Sequence, residues 1–430
     1  MTRVRPGVVP SPAPGPRTGV SVVVPTFERA DELEATLRSL EAQRGAAGPG
    51  LQVVVVDDGS HADLLPVIRR HERTLDLLLV RQPDRGFRAA AARNLGARVA
   101  TGDVLVFLDC GTLAGQDLVE AHRRAHERAG GAVVATFAPT YGYDVTGPDK
   151  RRLRDVLLSA PGAIDLAPLA GVPGMDDYRT QKLLDVQLDG TRLAVPWRFF
   201  WSRNVSVHAD AFAAVGGFDD SYDSYGVEDI ELGYRLYRHG VPLVWVPEAW
   251  GAEVPTFEGE EEALGRSNRT NLLALADRYA DVEVEFYVVN RPLERLEQQE
   301  FDLIDRWRGE AGTTPADRDV VARAAAAGSV LVVGADDRVP DLPGVVRVGP
   351  SFASAEGAWA RALATGRGDV SGLGIRLGLP SDSFDVVVLT SALAGIWSRW
   401  GEWILAEARR VGRAVELGAG VEPALTRTSS

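Results

Sequence analysis

Short, uninterrupted apolar runs alternate along the first hundred residues with segments whose leucines and alanines recur every three or four positions. Val20-Ser21-Val22-Val23-Val24 closes at Pro25, Leu51–Val56 at Asp57-Asp58-Gly59-Ser60, and Val104–Leu108 at Asp109-Cys110-Gly111; Leu77–Val80 is a shorter run of the same kind. Between them, Leu33, Leu37 and Leu40 keep helical spacing, a further helix follows the Asp57 turn, and Phe87–Val99 is an Ala-rich helix. Strands that are apolar throughout and alternate with helices predict a parallel sheet covered on both faces. Ligands of such sheets sit beyond the carboxyl ends of the strands. Thr26-Phe27-Glu28, Asp57-Asp58-Gly59 and Asp109-Cys110-Gly111 all fall at those ends, and their convergence marks a candidate binding edge.

Farther on, Gly131–Phe137 reads as another strand and residues 141–188 as a charged flap with one or two helices. Trp197, Phe199, Phe200 and Trp201 either stack on a sugar ring or fill a core. After the turn Val215-Gly216-Gly217-Phe218-Asp219, Glu228 and Asp229 open an amphipathic helix. A carboxylate at a helix N-terminus tends to stay ionised, and one facing a cleft can take a proton from an alcohol; complementing the helix dipole is the plainer role. Leu243–Val246 is a strand and Glu260–Tyr279 a long helix. A second α/β unit starts near residue 290, with helices over 291–307, 315–327 and 403–411 and strands over 330–334, 345–348, 384–389 and 414–417. The expected division is a disordered Pro-rich tail (1–18), a large domain (19–285), a smaller Rossmann-like α/β domain (290–420) and a short tail (421–430).

Composition narrows the function. A chain of 430 residues is expected to hold two or three domains. A net charge of −13 argues against nucleic acid and anionic membrane partners. There is no apolar run long enough for a membrane span, and the Pro-rich start lacks the apolar core of a signal peptide. A single cysteine, Cys110, rules out a disulfide framework and a Cys-based zinc site and suggests a cytoplasmic protein. Cys110 reads as a small strand-end residue, and His122, His126, His208 and His239 as surface or hydrogen-bonded residues.

Over about residues 19–280 the chain resembles the inverting family 2 glycosyltransferases, with the nucleotide-sugar-binding GT-A fold. The resemblance rests on Val22-Val23-Val24-Pro25-Thr26-Phe27, Val55-Val56-Asp57-Asp58-Gly59-Ser60, Ala92-Arg93-Asn94-Leu95-Gly96, Phe107-Leu108-Asp109 and Gly226–Leu236, the last in the form of chondroitin-polymerase-like and polypeptide GalNAc-transferase-like enzymes. It implies a nucleoside-diphosphate sugar donor, UDP-linked, and an acceptor whose identity is open. Thr26 and Glu28 would lie beside the nucleoside, Asp57 and Asp58 at the base, Arg93 and Asn94 near sugar and phosphate, and Asp229, beside Glu228, in the place of the general base. Asp109 is the first acid of the family's Asp-x-Asp metal motif, whose second acid is replaced by Gly111; a further expected His is replaced by Ala252. Three consequences stay open: a metal-independent enzyme in which Arg203, Arg198 or Arg93 meets the diphosphate charge; a divalent cation (Mn or Mg) on Asp109 with Glu253; or a nucleotide-sugar-binding scaffold without turnover. The second unit faintly resembles an S-adenosylmethionine-dependent methyltransferase, but Gly334-Ala335-Asp336-Asp337 lacks the later glycines that let backbone approach a cofactor. It reads as a non-catalytic module.

Overall fold

The computed structural model describes residues 3–6, 18–44, 51–169, 171–187, 189, 193, 195–255, 261–289 and 298–421. They fall into two compact units, Met1–Asn268 and Arg269–Ser430.

The first unit carries β1 (Arg3–Pro6), β2 (Val20–Thr26), β3 (Leu51–Asp57), β4 (Asp76–Arg81), β5 (Val104–Leu108), β6 (Thr112–Ala114), β7 (Ala135–Phe137), β8 (Thr140–Tyr141), β9 (Asn204–His208), β10 (Leu243–Trp245) and β11 (Gly251–Glu253). Its main sheet runs β1-β4-β3-β2-β5-β9-β7-β10. The apolar runs pair in parallel as their composition predicts, β2 against β3 and β5, and β3 against β4. Val22, Val53, Val55, Val106 and Phe107 are wholly buried. Leu33, Leu37 and Leu40 of the helix Ala30–Glu41 are buried in the same unit. The register sets Thr26 beside Asp57, so the polar strand ends share one edge.

β9 was not expected. It runs antiparallel to both β5 and β7 and sets Asn204 opposite Leu108. Its polar alternation, Asn204 and Ser206, points into a buried hydrogen-bonded cluster rather than solvent. His122 contacts Thr136 Oγ1 at 2.7 Å and Asn204 Oδ1 at 3.0 Å, and His126 contacts Ser206 Oγ at 2.8 Å. Burial pushes the His122 imidazole down to about 4. A small second sheet, β6-β11-β8, puts Glu253 opposite Thr112, just after Gly111.

Other expectations need correction. Arg3–Pro6 is not disordered but an edge strand along β4; residues 7–17 of the expected tail, 291–297 of an expected helix and 422–430 lie outside the described residues. The boundary falls at Asn268, not after 285, because Tyr279–Ala280 pairs with Ala355–Glu356, and Glu285 accepts the amides of Leu373 and Arg376 at 2.7 and 2.6 Å. Among the described residues no helix is long and apolar enough to cross a membrane.

The second unit is a parallel five-stranded sheet in the order Gly368–Ser371, Val345–Gly349, Val330–Val333, Phe384–Leu389, Gly412–Leu417. Its glycine-poor loop folds down on the neighbouring strand. Ala335 N donates to Val348 O at 2.8 Å, and a Cβ on Gly349 would lie 1.9 Å from Ala335 O. Asp336 is tied to Thr313 N and Oγ1 at 3.0 and 2.7 Å.

Candidate active site

The helix Glu228–Arg238 begins at the carboxyl edge of the main sheet, and the residue before it is strained. Val227, buried and β-branched, has φ +80°, a left-handed conformation that such residues rarely adopt. Strain of this kind persists where the surroundings over-determine it. The anchor is upstream: Asn94 Nδ2 donates to Phe218 O at 2.8 Å and to Asp220 Oδ1 at 2.6 Å, while Phe218 N donates to Asn94 Oδ1 at 2.9 Å. Asn94 therefore clamps the turn that leads to the acidic pair.

The two acids differ in environment. Glu228 is buried, and its Oε1 accepts from Arg93 Nη1 at 3.0 Å. The other terminal nitrogen of Arg93 donates to Asp109 Oδ1 at 2.7 Å. Arg93, only 4% exposed, thus ties the end of β5 to the first turn of the helix. Asp229 is half-buried; its Oδ2 accepts from Ser202 N at 3.1 Å and its Oδ1 from Ile230 N at 2.7 Å. Burial pushes the Glu228 carboxyl up, helped by repulsion from Asp229; burial likewise raises Asp229, against the pull of Arg93 and these two amides. The more accessible acid of the pair is Asp229, whereas Glu228 is buried against Arg93.

At the end of β3, Asp57 accepts from Gly59 N at 3.2 Å and Ser60 N at 2.8 Å and pairs with Arg81 at 3.3 Å. Asp58 accepts from Arg88 N at 3.1 Å and from Gln82 Nε2, and burial raises its carboxyl. Thr26 is buried with its hydroxyl 3.4 Å from Cys110 Sγ. Glu28, at φ +53°, sits 2.7 Å from His61 Nδ1, and the His61 amide and ring hold its carboxyl down. Asp57→Ala should therefore lower the melting temperature by freeing two turn amides. Equal melting temperatures for Asp57→Ala and the parent would remove that assignment.

The expected metal ligands are occupied otherwise. Asp109 is engaged by Arg93, and Glu253 pairs with Arg203 at 3.2 Å. Gly111 has φ +97°, and a Cβ there would meet Arg29 Nη2 at 3.1 Å. Among the described residues no group of three His, Cys, Asp or Glu side chains could hold a metal ion. The residues present do not fit a family-type divalent cation: one ligand position has no side chain, and a guanidinium lies beside it.

Arg203 is joined to this edge through its backbone as well, since Asp109 N donates to Arg203 O at 3.2 Å. Its guanidinium stacks 3.5 Å from the Tyr143 ring centre. Arg198 is buried against Phe199, with 4.3 Å from guanidinium to ring centre. Trp197, Phe199 and Phe200 are core; Trp201 is half-buried and packs on Tyr143 and Tyr178. Sequence reasoning missed Tyr143 and Arg29. Tyr143 lay in a weakly periodic flap, but Arg29 follows the Thr26-Phe27-Glu28 cluster directly and could have been weighed with it.

Residues 21–193 match Glycosyl transferase family 2, and residues 183–255 match the N-terminal domain of galactosyltransferase. The chain is 34% identical over 437 residues to validoxylamine A glucosyltransferase of Streptomyces hygroscopicus subsp. limoneus, an alignment covering 97% of this chain and 93% of that protein. It is 31% identical over 265 residues to the chondroitin synthase of Escherichia coli, across 59% of this chain and 38% of that one. It is 32% identical over 237 residues to the hyaluronan synthase of Pasteurella multocida, across 52% and 23%. The synthases align with little more than half of this chain, whereas the glucosyltransferase alignment takes in both units.

Proposed function

This chain belongs to the family 2 glycosyltransferases, and we propose that it is an inverting enzyme that moves a hexosyl group from a UDP-linked donor to an acceptor hydroxyl, with Asp229 as general base. The observation that carries this reading is the division of labour in the acidic pair. Glu228 is buried and held by Arg93, while Asp229 is half-buried and held by two backbone amides. In the step this supports, Asp229 takes the acceptor O–H proton as the oxygen bonds to the anomeric carbon. The bond from that carbon to the diphosphate oxygen breaks on the opposite side, and its electron pair leaves with UDP. A base aligned with the attacking hydroxyl requires no covalent intermediate, so the configuration inverts.

The glucosyltransferase relative suggests glucose as the transferred sugar and validoxylamine A as the first acceptor to try. A thermal-shift screen of nucleotide sugars tests the donor class, because a ligand that binds only the folded state raises the melting temperature by mass action. UDP sugars should give the largest shift. No shift from any nucleoside-diphosphate sugar would reject the reading.

A further inference from the structure

Replacement of the second acid by Gly111 creates a question of charge. When the glycosidic bond to the diphosphate breaks, negative charge grows on the leaving oxygen, and an uncompensated anion in a partly desolvated cleft is costly. The acids near this edge are already matched to cations. Arg93 serves Asp109 and Glu228, Arg203 serves Glu253, and Arg154 contacts Glu32 at 2.9 Å.

Arg29 stands apart. It follows β2 and precedes the helix Ala30–Glu41. Its side chain crosses to the end of β5, where Nη1 donates to Cys110 O at 3.0 Å. Nη2 lies 3.1 Å from where a Gly111 Cβ would be. That nitrogen is buried and has no hydrogen-bond acceptor among the described residues. The nearest carboxylate contact of the guanidinium, Nε to Glu32, is a loose 3.7 Å, and the side chain keeps 28% exposure. A buried donor left unsatisfied is costly, so an acceptor delivered by a ligand is favoured here.

We propose that Arg29 binds the diphosphate of the donor beside Gly111 and neutralises the departing UDP, taking over the work that a divalent cation and the second acid would share. A guanidinium suits the task because its planar fork pairs with phosphate oxygens and it stays charged at every working pH. A side chain at position 111 would enter the space beside this guanidinium. Arg203, the first choice on sequence grounds, is already spent on Glu253 and Tyr143.

This inference rests on the UDP-sugar reading, and the test separates the two. UDP and uridine are titrated calorimetrically into the full chain after exhaustive treatment with EDTA, then with added Mn2+, for the parent and for Arg29→Ala and Arg29→Lys. The parent should bind UDP equally well with and without chelator. Arg29→Ala should weaken UDP by roughly ten- to a hundredfold while leaving uridine unchanged, with Arg29→Lys between, as expected when one charged phosphate contact is removed. A thermal melt of each variant checks folding. Loss of UDP binding in EDTA with recovery in Mn2+ would overturn the proposal alone, as would equal weakening of UDP and uridine in a folded Arg29→Ala. Failure of the parent to bind either nucleotide would overturn it together with the UDP-sugar reading.

Discussion

Asp229→Asn should leave the protein folded and UDP binding nearly intact while reducing glycosyl transfer by a hundredfold or more, on the order expected for loss of a general base. The amide preserves the shape of the carboxylate and can still accept from Ser202 N through its oxygen, but it cannot take the acceptor's proton. Glu228 cannot replace it, being buried and turned toward Arg93. Transfer at the parental rate in Asp229→Asn would refute the assignment. The pH profile gives an independent check. Burial raises both acids of the pair, and a base must be ionised to act, so activity is lost as pH falls through the raised value. The acid limb of kcat/KM should lie above the ordinary aspartate range near 3.9; a limb at or below that value would contradict the raised base.

Arg93→Met should strongly destabilise the first unit. It leaves Glu228, at 7% side-chain exposure, and the less buried Asp109 without their shared cation. Removing one partner of a buried ion pair costs about 3–5 kcal/mol, because the remaining charge stays desolvated. The orphaned Glu228 carboxyl, already raised by burial, would have a folded-state pKa above its unfolded one. Its penalty is therefore present at neutral pH and shrinks as acidification protonates it. Urea melts should show a large deficit at pH 7 that narrows toward pH 5, and Glu228→Gln added to Arg93→Met should recover part of it. A deficit below about 1 kcal/mol at pH 7 would mean that the three side chains do not form the linkage described.

Much of this site was legible because parallel strands put their carboxyl ends on one edge whatever the loops do. Thr26, Asp57, Asp58 and Asp109 needed only the apolar runs before them. The acidic pair needed only the helix it opens. What the sequence concealed depends on partners distant along the chain. β9 was given no element because Asn204 and Ser206 are polar, and nothing local reveals that His122, His126 and Thr136 lie underneath to receive them. The helix expected to begin at 403 in fact spans Ala394–Val411; Gly395 and Gly401 hid its first turns, although Ile396, Trp400 and Ile404 keep helical spacing and are buried. The pairing of the arginines was hidden for a related reason. Composition shows a surplus of acids, but which guanidinium each acid claims is a matter of tertiary geometry. Arg93 and Arg203 proved to be spoken for, and Arg29 emerged only when its position beside Gly111 could be measured.

The central claim, direct displacement assisted by Asp229, is tested most directly by the stereochemistry of the product. The chain would be incubated with α-linked UDP-glucose and validoxylamine A, UDP release followed, and the anomeric proton coupling of the new linkage read by NMR. The account predicts a β-linked glucoside formed with one UDP per transfer. An α-linked product would contradict it, because retention requires a different arrangement of nucleophile and leaving group from the one built around Asp229.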